Sequence, residues 1–256
     1  MVPRMAYKAR HTEKYSEENR YAYARLLISR IMRAGHITTK KYGMENLPEE
    51  GGYIMFPNHQ GKYDALGIMI SHDKPCSVVI DDAKSHGIVI RQFIDMIQGK
   101  RLKKDDLKQS IRIIREVSEE VGKGRRFIIF PEGGYLHNHN TMREFKPGCF
   151  KSAVKAKAPI VPVALVDSYK PFELWSLRKV ETQVHFLKAI PYEEYKGMNT
   201  VEIADLVKGR IANRLNEVLA NSEIERCCYT RSIFLLYSFA GQPVRSVVNL
   251  FCTTLS

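Results

Sequence analysis

A histidine and an aspartate five positions apart, His59 and Asp64, stand between an apolar run and an amphipathic one in YIMFPNHQGKYDALGIMI, residues 53–70. An imidazole oriented by a carboxylate can act as general base and take a proton from a hydroxyl. On a continuous helix this spacing would set the pair about 140° apart. A bend, made easy by Gly61, brings the carboxylate onto the ring instead. The same residues also read as a polar turn with Asp64 capping a helix, where orphan N–H groups and the helix dipole favour an acid. Three further stretches could carry chemistry. FIIFPEGG (127–134) runs a strand into Glu132, Gly133 and Gly134, an acid followed by residues that let a ligand approach the backbone. IQGKRLKK (97–104) offers Lys100 and Arg101 as a phosphate clamp, or a solvated loop. APIVPVALV (158–166) places Pro162 inside an apolar run, which suggests a strand edge or bulge.

These residues need elements to position them. GYIMFPN, CSVVI, RFIIFP, APIVPVALV and TQVHFLKAI read as strands. The clearest helix spans about Asp105 to Val121, with Leu107, Ile111, Ile114, Val117 and Val121 in one stripe, an acid cap at Asp105 or Asp106, and Gly122 past its end. Helical patterns also cover about 64–72, 85–97, 147–157 and 200–220. Such alternation predicts an α/β fold, a mostly parallel sheet flanked by helices, with an N-terminal amphipathic helical segment. Ligands in these sheets sit at the carboxyl ends of the strands, where His59 and Glu132 both emerge.

The 256 residues carry 40 Lys+Arg against 28 Asp+Glu, a net charge of +12. Residues 1–41 hold ten basic and three acidic side chains. Within residues 17–36, Tyr23, Ala24, Leu27, Ile28, Ile31, Met32 and Ala34 share one half of a helical wheel opposite Arg25, Ser29 and Arg33. The helix either lies on an anionic membrane or packs on its own domain. Three segments are expected: 1–42, basic and amphipathic; 43–225, the alternating domain; and 226–256, an apolar tail outside the alternation. The five cysteines form no CxxC, and their odd number speaks against a disulfide framework and for a reducing compartment. No signal peptide and no transmembrane run is expected. The expected location is cytoplasmic, peripheral on the inner face of the membrane. No helix-turn-helix, zinc-finger or RNP signature is present, so nucleic acid is not an expected partner.

The order of the four stretches is more specific than any one of them. Asn-His-(four residues)-Asp, a basic loop, Phe-Pro-Glu-Gly and Ile-Val-Pro-Val resemble the ordered blocks of the glycerolipid acyltransferases of the lysophosphatidate acyltransferase type. FKPGCFKSAVKAKAPIVPVAL (145–165) is similar to their connection between the third and fourth blocks. The resemblance covers roughly residues 43–195. It implies transfer of an acyl group from acyl-CoA or acyl carrier protein to the hydroxyl of a lysophospholipid. His59 would be the base and Asp64 its orienting partner, with no acyl-enzyme and no cofactor beyond the donor. It places Lys100 or Arg101 at the family's phosphate-binding arginine, Glu132, Gly133 and Gly134 in the acceptor-binding block, and Pro162 in the fourth. The family's usual Thr-Arg after Glu-Gly is replaced by Gly134-Tyr135, and tyrosine offers no charged fork. Arg143 and Lys146 are the nearby substitutes, and an acceptor without phosphate is the alternative. The rival classes are a thioester hydrolase and a non-enzymatic, basic, membrane-binding protein. HNH (137–139) lacks metal-ligand spacing and no metal is expected. Cys149 reads as structural rather than nucleophilic.

Overall fold

Two strands whose residues are buried without alternation set the centre of the sheet: β2 (Ile54–Pro57) and β6 (Ile160–Val166). Continuous burial of this kind means that both faces are covered, as helical crossovers require. The computed structural model describes residues 2–173 and 178–239, with the side chains of the last helix described through Ser222. The other strands are β1 (Ile37–Tyr42), β3 (Ser77–Asp81), β4 (Lys100–Leu102), β5 (Phe127–Ile128) and β7 (Val180–Phe186), and the seven-stranded order is β1-β7-β6-β2-β5-β3-β4. From β6 to β4 all neighbours are parallel, β7 is antiparallel to β6, and β1 is parallel to β7. The carboxyl ends of β6, β2, β5, β3 and β4 therefore share one edge.

The helices include α1 (Val2–Arg10), α2 (Glu17–Ala34), α3 (Asp64–Ser71), α4 (Ile88–Met96), α5 (Leu107–Gly122), α6 (Lys151–Ala156), α7 (Lys170–Glu173), α8 (Tyr192–Tyr195) and α9 (Thr200–Phe239). Asp106 caps α5, its Oδ1 accepting the Gln109 N–H at 2.9 Å. Gly122 is the last helical residue, and the left-handed turn falls to Gly124 (φ 95°). Gly52 is required where β2 is entered, since a Cβ there would lie 2.1 Å from the Val121 carbonyl oxygen.

The expected boundary at 42/43 does not separate two units. Met1–Asn213 forms one compact unit and Arg214–Ser256 a second. Ser16 caps α2, its Oγ accepting the Asn19 N–H. On that helix Tyr21, Ala24, Leu27 and Ile28 are buried in the same core cluster as Met55, Ile68, Met69 and Val163. Arg20 is buried and donates to Gln98 Oε1 at 3.1 Å, while Arg25 donates to the Ile70 carbonyl at 3.0 Å. The apolar half of the wheel is thus turned largely inward. β1 then pairs with β7 along its whole length. Of the expected tail, residues 226–239 belong to α9 and residues 240–256 lie outside the described residues.

Candidate active site

His59 leaves β2 just after Pro57, and Asp64 opens α3, so the turn between them decides whether the pair meets. It meets: His59 Nδ1 lies 2.7 Å from Asp64 Oδ2. The same oxygen accepts the backbone N–H groups of Gln60 (2.6 Å) and Gly61 (2.9 Å). The turn is folded around one carboxylate oxygen, which explains the bend that a continuous helix would forbid. Asp64 is fully buried, and its Oδ1 has no hydrogen-bond partner. A carboxylate oxygen in this setting accepts, so Nδ1 carries the ring proton and Nε2 keeps the lone pair. The His59 ring is stacked on Phe130 (4.1 Å between centroids) and meets the Tyr135 ring edge-on (4.8 Å).

The His59 peptide is held from both sides. Its N–H donates to Glu132 Oε1 at 2.9 Å, and its carbonyl accepts from Asn138 Nδ2 at 3.3 Å. Glu132 Oε2 accepts the Arg143 N–H at 3.2 Å. Burial pushes the Glu132 carboxyl up to about 7, against the pull of those two amides and of Arg143. Glu132 therefore ties the exits of β2 and β5 to the 143 segment, and its oxygens are used on backbone. Asn58 grips Leu165 twice, accepting its N–H at 2.7 Å and donating to its carbonyl at 3.1 Å. Gln60 also donates to the Leu165 carbonyl (2.7 Å) and accepts the Ser168 N–H (2.8 Å). These amides fix the histidine turn to the carboxyl end of β6.

Gly133 (φ 68°) and Gly134 (φ 153°) form the turn beside this dyad. Four cations surround it. Lys84 Nζ lies 4.4 Å from the centre of the Tyr135 ring, and Arg143 Nη1 donates to the Gly134 carbonyl at 3.2 Å. A Cβ built on Gly133 would lie 3.0 Å from Lys146 Nζ, and one on Gly134 would lie 3.5 Å from Lys104 Nζ.

The structure does not bring Lys100 and Arg101 together as a clamp. They lie on β4, a strand rather than a loop, and successive strand residues point to opposite faces. Lys100 pairs with Glu120 (2.5 Å) and Glu116 (3.2 Å) of α5. Arg101 pairs with Asp95 of α4 (2.6 Å) and donates to Ser85 Oγ (3.1 Å). Pro162 is also not at a sheet edge. It sits in β6 between β2 and β7, opposite Phe56, where the β7 ladder ends and Leu187 N–H donates to the Pro162 carbonyl at 3.0 Å. A missing donor at a ladder's end costs one hydrogen bond and no more. His137 and His139 face Glu173, at 3.1 and 3.6 Å, and among the described residues no group of three or more His, Cys, Asp or Glu could hold a metal. Cys149 donates to the Lys146 carbonyl, and burial raises its thiol well above the usual range, the setting of a structural cysteine.

Comparison with known proteins gives this chain a family. The family model described as acyltransferase matches residues 38–166. The chain belongs to the acyltransferase family. Among curated acyltransferases it is 28% identical over 202 residues to the 1-acyl-sn-glycerol-3-phosphate acyltransferase alpha of Ovis aries, covering 76% of this chain and 68% of that one. It is 26% identical over 191 residues to the 1-acyl-sn-glycerol-3-phosphate acyltransferase of Saccharomyces cerevisiae, covering 71% and 61%. The fold is shared with the crystal structure of a 1-acyl-sn-glycerophosphate acyltransferase from Thermotoga maritima, with a TM-score of 0.70, 20% identity and coverage of 86% of this chain and 87% of that one. No helix among the described residues of this acyltransferase is long and apolar enough to cross a membrane.

Sequence reasoning missed the amides that hold the dyad, Gln60, Asn138 and Asn140, and the cations Lys84 and Lys104. Asn140 accepts the Asp167 N–H (2.9 Å) and receives a hydrogen bond from Gln60 Nε2 (2.9 Å). The available signal was a density of amides, in NHQ just after β2 and in HNHN within the loop that follows β5.

Proposed function

We propose that this acyltransferase moves a fatty acyl group from acyl-CoA or acyl carrier protein to the free hydroxyl of 1-acylglycerol-3-phosphate. His59 Nε2 removes the hydroxyl proton as the oxygen attacks the thioester carbonyl. The C–O bond forms and the C–S bond breaks. The proton held on the imidazolium passes to the departing thiolate, so the histidine ends as it began. Asp64 orients the ring and stabilises its transient positive charge without taking the proton. No acyl-enzyme forms.

The observation that carries this reading is the His59–Asp64 contact at 2.7 Å, with the acceptor oxygen fixed by two further backbone donors. Support for a phosphate-bearing acceptor comes from Lys84, Lys104, Arg143 and Lys146 around the Gly133–Gly134 turn. Tyr135 against the His59 ring supports a second reading, an acceptor such as a neutral lipid alcohol. A chain with these substrates works at the inner, cytoplasmic face of a membrane as a peripheral protein.

Donor turnover is measured with and without lysophosphatidate. Acceptor-dependent release of CoA or carrier-protein thiol is expected. Acceptor-independent release makes the chain a hydrolase, and no release makes it a binding protein. Competition between lysophosphatidate and a phosphate-free lysolipid in one assay decides the acceptor.

A further inference from the structure

Six of the eight exposed branched aliphatic side chains among the described residues, Ile88, Val89, Ile90, Leu107, Ile111 and Leu136, leave the sheet by three neighbouring exits and are 45–74% exposed. Leu136 follows β5, Ile88–Ile90 begin α4 after β3, and Leu107 and Ile111 begin α5 after β4. These strands are adjacent and parallel, so the three connections emerge side by side on the edge that carries His59. Contacts knit them together: Lys84 over the Tyr135 ring, Lys104 to Asp81 at 2.6 Å, and Arg101 to Ser85 at 3.1 Å.

Helix α5 shows why this surface is not a core. Its apolar stripe buries Val117 and Val121 and partly buries Ile114, but its first turns leave Leu107 and Ile111 exposed. Likewise α4 buries Ile94 and Met96 and leaves three consecutive aliphatics in solvent at its start. Exposed apolar groups clustered on one edge mark an interaction surface. The surrounding charge selects the partner: residues 84–112 carry eight Lys/Arg against three Asp/Glu, and with Lys100 and Arg101 paired to acids of α5 and α4, Lys84, Arg91, Lys103, Lys104, Lys108 and Arg112 remain among these connections. Aliphatic side chains ringed by cations fit an anionic lipid surface, with acyl chains below and headgroups around.

We propose that this edge is the membrane-docking face, the six aliphatics entering an anionic bilayer and the cations meeting its headgroups. His59 is then held at the level of a lipid acceptor, the one point at which the proposal rests on the proposed acyl transfer. The face differs from α2, whose apolar side is largely spent on the core.

Co-sedimentation with vesicles of mixed phosphatidylglycerol and phosphatidylcholine tests it without any turnover. Wild type should bind these vesicles and bind pure phosphatidylcholine vesicles far less. Ile88→Asp with Leu107→Asp should weaken binding at least about 100-fold, roughly tenfold for each aliphatic withdrawn. Val89→Trp should tighten it, and Leu26→Asp, an exposed position on α2, should leave it unchanged. A double variant that sediments like wild type, a loss caused by Leu26→Asp, or wild type that prefers neither vesicle would each overturn the proposal. So would a double variant that instead changes only the chain's own oligomeric mass or only its affinity for acyl carrier protein.

Discussion

Asp64 illustrates how much one buried oxygen can do. Oδ2 receives three donors while Oδ1 is buried without a partner. In Asp64→Asn the remaining carbonyl oxygen can serve the three donors only by placing its NH2 where Oδ1 lay, a buried donor with nothing to receive it. That should cost about 1–3 kcal/mol of stability. Loss of the carboxylate should also lower kcat about 10²–10⁴-fold by freeing the ring and removing the charge that stabilises imidazolium. Thermal melts and single-turnover rates on the same preparation check both. Acceptor recognition is the second matter at this scale. A charge-assisted contact to phosphate contributes about 1.5–3 kcal/mol, so Lys84→Ala should raise the KM of lysophosphatidate about 10- to 150-fold and leave the donor KM unchanged. Arg101→Ala, which removes a pairing to Asp95 rather than a group at the turn, should lower the melting temperature instead. If Arg101→Ala moves the acceptor KM and Lys84→Ala does not, the β4 pair is the phosphate site after all.

Elements whose burial leaves a pattern were legible, and those without one were not. β2 and β6 are covered on both faces and show as unbroken apolar runs. β1 reads ITTKKY because it is a sheet edge, and β4 is only three residues long, so its cations looked like a loop. The amphipathic wheel of α2 was seen, but an apolar face is the same whether it meets a core or a lipid. The dyad was legible because its members are five residues apart. Glu132 reads as sharing the edge with His59, but the bonds of the scaffold were not legible, because Glu132 is 73 residues from His59 and Ser168 is 108 from Gln60. Glu132 joins two strand exits, and its titration should be visible. Its folded pKa of about 7 lies above the ordinary 4.5, so between those values the native state holds the extra proton. This group's contribution to stability therefore falls as pH rises from about 4.5 to 7 and is level outside that window. The melting temperature of wild type relative to Glu132→Gln should decline across the same interval. At pH 8, Glu132→Gln should also lose about 10- to 100-fold in kcat, because its NH2 faces a backbone N–H and the His59 peptide shifts. A melting difference that is flat with pH would show that Glu132 keeps an ordinary pKa.

At the scale of the whole molecule the N-terminal helices are the point where surface charge and core meet. Their excess of basic residues suggested an appendage laid on a membrane, yet several of those charges work inside the fold. Arg20 reaches Gln98, Arg25 reaches the Ile70 carbonyl and Asp73, and Glu17 of the same helix receives Arg125 at 2.9 Å. Met5, Tyr21, Leu27 and Ile28 are each 4% exposed or less. Full burial of such a side chain is worth about 1.5–3 kcal/mol, so Tyr21, Leu27 and Ile28 together approach the whole stability of an ordinary domain, about 5–15 kcal/mol. Removing residues 1–36 should therefore strike the fold itself. It should uncover Met55, Ile68 and Met69 of the shared core and abolish a cooperative thermal transition. Far-UV circular dichroism with a thermal ramp reads this directly, with Leu26→Asp as a full-length control that adds charge at an exposed α2 position and keeps the melt. A truncated chain that melts cooperatively within a few degrees of the full chain would mean that the helices decorate a finished domain. The packing of α2 leads to the opposite expectation: the N-terminal segment is part of what folds, and its loss of function on deletion is loss of the fold.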